Sequence, residues 1–219
     1  PYAYHIVSYG ENGGVSRPEG YLVEVTEPGA GAAGTADPIA EYSKFYDDLT
    51  GYGWAVYYID FLTGRGLFRG EFAYNGYLFR PDEAMTNAAF ADLAGGLWSE
   101  NRAASDAALV AAGITGANGT LLAPDRPIAR KTVCLFIAAA LNLPPEKITE
   151  LGEYEDVSAL DDQTASAVAA AVKAGYIKGN GGKLLSEDCV TRSEAAVIAG
   201  RLLTRGAIEK TARDKEALQ

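Results

Sequence analysis

The chain has 219 residues, 48% of them hydrophobic and 22% charged, with a formal net charge of −10 and a pI near 4.6. That is the composition of an ordered globular protein, long enough for one or two domains or for several small repeats sharing a core. The acidic balance argues against a nucleic-acid partner, which calls for a basic footprint, and no apolar run reaches the roughly 18 residues needed for membrane insertion.

The sequence opens at Pro1 without the basic and apolar stretches of a signal peptide, so an export signal would lie outside it. Over residues 1–43, AYHIVSYG and GYLVEVTEP alternate loosely around a Gly/Asn-rich centre, which predicts a β-hairpin with a long loop. GAGAAGTADP then reads as a flexible linker. His5 has no partner group in sequence that would make it a catalytic base.

From Tyr46 a different organisation begins. Trp54, Tyr57, Tyr58, Phe61 and Leu62 stand at i, i+3, i+4, i+7 and i+8, one face of a helix that Gly64 and Gly66 terminate. A second helix is expected from Thr86, with Phe90, Leu93 and Leu97 inward. An alanine-rich helix over residues 101–112 ends at Gly113. Another follows over residues 130–141 with Val133, Phe136, Ile137, Ala140 and Leu141 as its apolar stripe, and then a proline-containing connection, LPPEKITELGE. A further helix ends at Gly175, and the last, opening on TRSE, carries Ala195, Ile198, Ala199, Leu202 and Leu203. The charged EKTARDKEALQ end is expected to fray.

One thirteen-residue segment occurs three times: NGYLFRPDEAMTN from Asn75, NGTLLAPDRPIAR from Asn118 and NGGKLLSEDCVTR from Asn180. The copies share Asn-Gly at the start and a large apolar residue at the fifth place (Phe79, Leu122, Leu184). They share an acid at the eighth (Asp82, Asp125, Glu187), an aliphatic or Met at the eleventh (Met85, Ile128, Val190) and a small residue at the twelfth. The thirteenth is Asn87, Arg130 or Arg192. Each copy feeds a helix whose apolar positions fall four, seven and eleven residues after the twelfth column. Repeated units of this kind bury their faces only against one another, so a mainly α fold is expected, with a central three-helix bundle and the shorter first helices outside.

The order YxD[LV], Trp-Ala-x-x-x-Ile-x-x-Leu, Gly-Leu-x-x-Gly, Phe-x-Pro and Thr-Arg-x-Glu resembles the S-layer homology (SLH) domain. The first copy carries the front half (Tyr46, Asp48, Trp54, Ile59, Leu62, Gly66, Gly70, Phe79, Pro81). The third carries Tyr154, Asp156 and TRSE at Thr191–Glu194. The resemblance covers about residues 45–205. It implies three tandem repeats at residues 44–98, 99–149 and 150–206 in a pseudo-threefold arrangement, between the hairpin and linker of residues 1–43 and a tail at 207–219. It further implies non-covalent anchoring of an exported protein to the bacterial cell wall or S-layer. The partner would be an acidic, often pyruvylated, secondary cell-wall polysaccharide held in grooves between repeats, with the motif arginine on the acid group and a cargo domain upstream in the same polypeptide. No cofactor is implied.

Thr191 and Glu194 form a capping-box pattern, and the free N–H groups of a helix N-terminus favour an anion. Arg192 would add a fork matched to a carboxylate, or else pair with a neighbour such as Asp156. Arg130 admits the same two readings, although ARKT lacks cap and glutamate. Asn87 cannot neutralise an acid. Asp48 and Asp156 read either as N-caps of the first helices or as acceptors for sugar hydroxyls, and Trp54 as packing or as a sugar platform. The carbohydrate-binding candidates are therefore Arg192, Thr191, Arg130, Asp156, Asp48 and Trp54.

Two further readings belong to other classes. The repeats could have drifted into a structural or assembly module without glycan binding. An enzyme would need a site, and the adjacent Asp161 and Asp162 do not face each other across a bond, while no nucleophile elbow, metal cluster or phosphate loop is visible. Cys134 and Cys189 fit no metal spacing and read as two small buried thiols.

Overall fold

A computed structural model describes residues 38–74, 76–152, 154–157 and 160–205, together with two short strands nearer the start. The chain divides into two compact units, Pro1–Gly34 and Thr35–Gln219. In the first, β1 (Ser8–Tyr9) pairs antiparallel with β2 (Val15–Ser16). β1 falls in the first expected strand. β2 falls in the expected loop, and the GYLVEVTEP strand, most of the linker and the charged tail lie outside the described residues.

The second unit is mainly helical: α1 (Gly53–Gly64), α2 (Asn87–Leu97), α3 (Arg102–Ala111), α4 (Arg130–Ala140), α5 (Asp162–Lys173) and α6 (Arg192–Thr204). Gly66, Gly113 and Gly175 take positive φ just past α1, α3 and α5, where a left-handed residue lets the last carbonyls find partners. The stripes on α2, α4 and α6 are buried as their spacing demands, from Phe90, Leu93 and Leu97 through Val133, Phe136 and Ala140 to Ala195, Ile198 and Leu202. In α1 the period is right but the face is rotated. Ala55, Val56, Tyr58, Ile59 and Leu62 are buried, whereas Trp54 keeps 44% of its surface exposed.

The closest helix pairs join a first helix to a second one. α1 lies on α6, and α3 and α5 both lie on α4, with α3 also touching α2. Gly200 permits the α1–α6 approach, because a Cβ there would collide with the buried Tyr58 ring. Phe136 of α4 meets Phe90 of α2 and Trp98 just beyond it edge-on, at 5.2 and 5.3 Å.

The three sequence copies are sewn into a ring by backbone hydrogen bonds. The eleventh-column amide of Met85 donates to Val190, that of Val190 to Ile128, and that of Ile128 to Met85, at 2.8–2.9 Å. The thirteenth-column amides of Arg192, Asn87 and Arg130 donate to the carbonyls of Glu83, Arg126 and Asp188. Those of Ser193, Ala88 and Lys131 donate to Pro81, Pro124 and Ser186. These donors are the first two residues of α6, α2 and α4, whose N–H groups have no partner inside their own helices. Each helix start is thus satisfied by the loop of the next copy.

The copies differ in how they hold the loop itself. The sixth-column residues Arg80, Ala123 and Leu185 all have positive φ (62°, 45° and 57°) without being glycine, a strained state for an L-residue. In the first copy Asp48 clamps the turn by accepting from the amides of Phe79 and Arg80 at 2.8 and 2.7 Å. In the third, Asp156 does the same for Leu184 and Leu185 at 2.8 and 2.7 Å. The second copy has no such aspartate; the Leu122 amide donates instead to the Ile114 carbonyl at 2.8 Å. Leu122 is correspondingly 46% exposed, while Phe79 and Leu184 are buried. At the first copy the chain forms an antiparallel hairpin, β3 (Glu71–Ala73) with β4 (Gly76–Leu78), where the other two have single bridges, Thr115 with Leu121 and Asn180 with Lys183.

Candidate functional site

Asp48 and Asp156 are not helix caps. α1 starts after Tyr52 with no side-chain cap, and α5 is capped by Asp161, whose carboxylate accepts from the Thr164 amide at 3.0 Å and its hydroxyl at 2.6 Å. The capping reading failed because the amides that needed an acceptor lie about thirty residues ahead in the turn. Burial works to raise the Asp156 pKa, but the amides of Leu184 and Leu185 outweigh it and hold the carboxyl below its ordinary value.

The capping box at α6 is present. Thr191 Oγ1 accepts from the Glu194 amide at 3.3 Å, and Glu194 Oε2 accepts from the Thr191 amide at 3.0 Å. The helix start is nevertheless not an open anion site, since the Arg192 and Ser193 amides already donate to Glu83 and Pro81. Ring closure has used the groups on which that expectation rested.

Arg192 lies across the junction of the third copy with the first. Its Nε donates to the Phe79 carbonyl at 2.8 Å and its Nη2 to the Arg69 carbonyl at 2.9 Å, with the guanidinium 4.7 Å from the centre of the Phe79 ring. It forms no ion pair among the described residues. Burial lowers its pKa, opposed by the charges of Glu83, Tyr46, Asp48 and Glu71. Asn87 occupies the corresponding place on the second copy, donating to the carbonyls of Leu122 and Ala123 at 3.1 and 3.2 Å.

Arg130 is different. At the junction of the second and third copies its Nη2 pairs with Glu194 Oε1, so that one carboxylate both caps α6 and holds the neighbour's arginine. The Arg130 side chain is 9% exposed, and its Nε has no hydrogen-bond partner among the described residues. A buried unpaired donor on a charged group is costly.

Arg130 is among the residues lining a cleft of about 420 Å³, with Lys178, Arg201, Glu194, Asn180 and Trp54, and with Leu184 and Leu185 of the Asp156-clamped turn. Arg201, buried in α6, donates to the Tyr176 carbonyl at 3.0 Å. Three cations face one carboxylate there, in a chain that is acidic as a whole. Trp54 reaches this cleft from α1, ahead of the first copy.

The six candidates thus divide. Arg130 and Trp54 share the cleft beside the turn that Asp156 holds; Arg192, Thr191 and Asp48 serve the other junction. Lys178 and Arg201 escaped the sequence reading, which includes Glu194 only as part of the cap. Arg201 left a signal, a charge nine residues after Arg192 on a helix otherwise apolar at the buried spacing. Cys134 is buried, and its thiol is pushed up to about 12 by desolvation, with Arg130 pulling the other way. Cys189 is exposed, contrary to expectation, although its backbone bridges to Ala129. Among the described residues, no group of three His, Cys, Asp or Glu side chains could hold a metal, and no helix is long and apolar enough to cross a membrane.

Over 88 residues, 40% of its length, the chain is 35% identical to an amylopullulanase of Thermoanaerobacterium thermosulfurigenes, and it spans only 5% of that protein. Residues 153–196, which include the Asp156 turn, Lys178, Asn180 and the capping box of α6, match the S-layer homology domain, a likeness that supports attachment at the cell surface in general.

Proposed function

We propose that residues 44–98, 99–149 and 150–206 are three SLH repeats arranged pseudo-threefold around α2, α4 and α6. In this reading the chain anchors an exported protein on the bacterial envelope by binding an acidic secondary cell-wall polysaccharide, and takes no part in chemistry. The repeat in the sequence and the cyclic hydrogen bonds at columns eleven, thirteen and fourteen support the arrangement. The observation that carries the function is the cleft at the junction of the second and third copies, which Arg130 lines together with Lys178, Arg201 and the exposed Trp54. A carboxylate, such as that of a pyruvyl ketal, complements a wall that carries Arg130, Lys178 and Arg201, and an aromatic face suits the apolar side of a sugar ring. Arg192, Thr191, Asp48 and Asp156 act here by fixing the two junctions.

A second reading, a structural or assembly module without glycan binding, draws on one observation: the column-thirteen side chains already bridge copies, Arg192 and Asn87 through carbonyls and Arg130 through Glu194. Sedimentation with purified, peptidoglycan-linked wall polysaccharide, with and without removal of its acid groups, separates the two. The anchor reading expects wild type to pellet only with acid-bearing wall and Trp54→Ala and Arg130→Lys to pellet less. Wild type remaining in the supernatant would sink the anchor reading.

A further inference from the structure

Each copy opens on Asn-Gly, the dipeptide in which the backbone nitrogen of glycine can reach the side-chain carbonyl carbon of asparagine with least steric hindrance. Asn75 lies outside the described residues; the other two pairs are both exposed but are held differently. At Asn118 both reacting groups are tied. The side-chain Oδ1 accepts from the Thr120 amide at 3.1 Å, and the Gly119 amide donates to the Gly116 carbonyl at 2.9 Å. At Asn180 neither is. The main chain pairs with Lys183 (2.8 and 3.1 Å), but the Gly181 amide and the Asn180 carboxamide have no partner among the described residues. Gly181 has φ 58°, a Cβ there would meet nothing within 4 Å, and the residue is exposed to solvent. Asn180 also lines the cleft with Arg130, Lys178 and Arg201, and positive charge favours the anionic nitrogen and oxygen that form during attack.

We propose that Asn180 is a site of spontaneous deamidation, and that its conversion weakens the cleft for anions. Solvent base removes the Gly181 amide proton, and the nitrogen attacks Cγ of Asn180. The new C–N bond forms as the Cγ–Nδ2 bond breaks, and ammonia leaves with a proton from water, giving a cyclic imide. Water then opens the ring at either carbonyl, leaving aspartate or isoaspartate, so the net exchange is one ammonia out and one water in. The product places a carboxylate among the three cations, and the isoaspartate form also lengthens the backbone inside the Asn180–Lys183 turn. The second half of the proposal rests on reading the cleft as an anion site; the first half does not. The chain would thereby carry a clock for its own attachment.

The test has two arms on the full chain. In the first, the protein is held in warm, mildly alkaline buffer, digested, and mapped for isoaspartate and for the mass change of an amide-to-acid exchange. Asn180 is expected to convert about tenfold faster than Asn118, the factor equivalent to one hydrogen bond that must first be broken. Equal rates, or conversion of Asn118 first, overturn the site. In the second, Asn180→Asp and Asn180→Gln are compared for binding to acid-bearing wall polysaccharide. Asn180→Asp is expected to bind about three- to tenfold more weakly than the uncharged Asn180→Gln, as one charge in a partly open cleft dictates. Equal binding by the two variants overturns the functional consequence. Failure of wild type to bind overturns the anchor reading instead and leaves the peptide map to decide the site.

Discussion

Glu194 offers the sharpest probe of the ring, because its two oxygens serve two copies. Glu194→Ala removes the acceptor for the Thr191 amide and the partner of Arg130, whose side chain is 9% exposed against 27% for Glu194. Breaking one side of a fully buried pair costs about 3–5 kcal/mol. Water reaching the exposed part of the site offsets some of this, leaving about 2 kcal/mol, and loss of the cap adds about 1 kcal/mol. A total of about 3 kcal/mol lowers the melting temperature of a domain this size by about 6–12 °C. Glu194→Gln keeps an oxygen for Thr191 and should lose about half as much. Glu187→Ala is the control, since its 2.7 Å pair with Lys131 is exposed on both sides and is worth less than about 0.5 kcal/mol. Thermal and urea unfolding followed by circular dichroism would measure all three, and Arg130→Met completes a double-mutant cycle with Glu194→Ala. A Glu194→Ala cost no larger than that of Glu187→Ala, or strict additivity in the cycle, would refute the bridging role.

If Glu194 holds Arg130 against incoming anions, Glu194→Gln should bind acid-bearing polysaccharide more tightly, by up to about tenfold in a pelleting titration. Asp156→Asn should flatten the acid limb of the stability profile. The native carboxyl of Asp156 lies below its unfolded value, so its contribution is present at neutral pH and is lost as pH falls through and below the ordinary carboxylate range near ~3.9. Ala123→Gly should raise the melting temperature by about 1–3 °C, because the exposed Ala123 holds φ 45° that glycine adopts without strain. A thiol reagent on the native chain should modify Cys189 at once and Cys134 only after unfolding, since Cys134 is buried with its thiol near 12.

The sequence by itself determined the elements that depend on local periodicity and repetition. The spacing of Phe90, Leu93 and Leu97 and of its counterparts fixed which faces of α2, α4 and α6 are buried, because those faces recur at the helical period whatever they pack against. Thr191 and Glu194 fixed the start of α6, because a capping box is satisfied within four residues. The triplicate segment fixed that three loops precede three helices. What remained for the tertiary structure were the partners of groups that look outward from these elements. The open N–H groups at the helix starts were a sound reason to expect an anion, until the ring placed the carbonyls of Glu83, Arg126 and Asp188 against them. Asp48 and Asp156 bond to amides roughly thirty residues away, which no local pattern reveals. Trp54 lies ahead of the first copy, Arg130 ends the second, and Lys178, Glu194 and Arg201 flank the third. They became one cleft only because closing the ring brings the third copy back against the first. Local sequence sets where a chain turns and which face it hides; which charges meet is set by the closure of the whole ring.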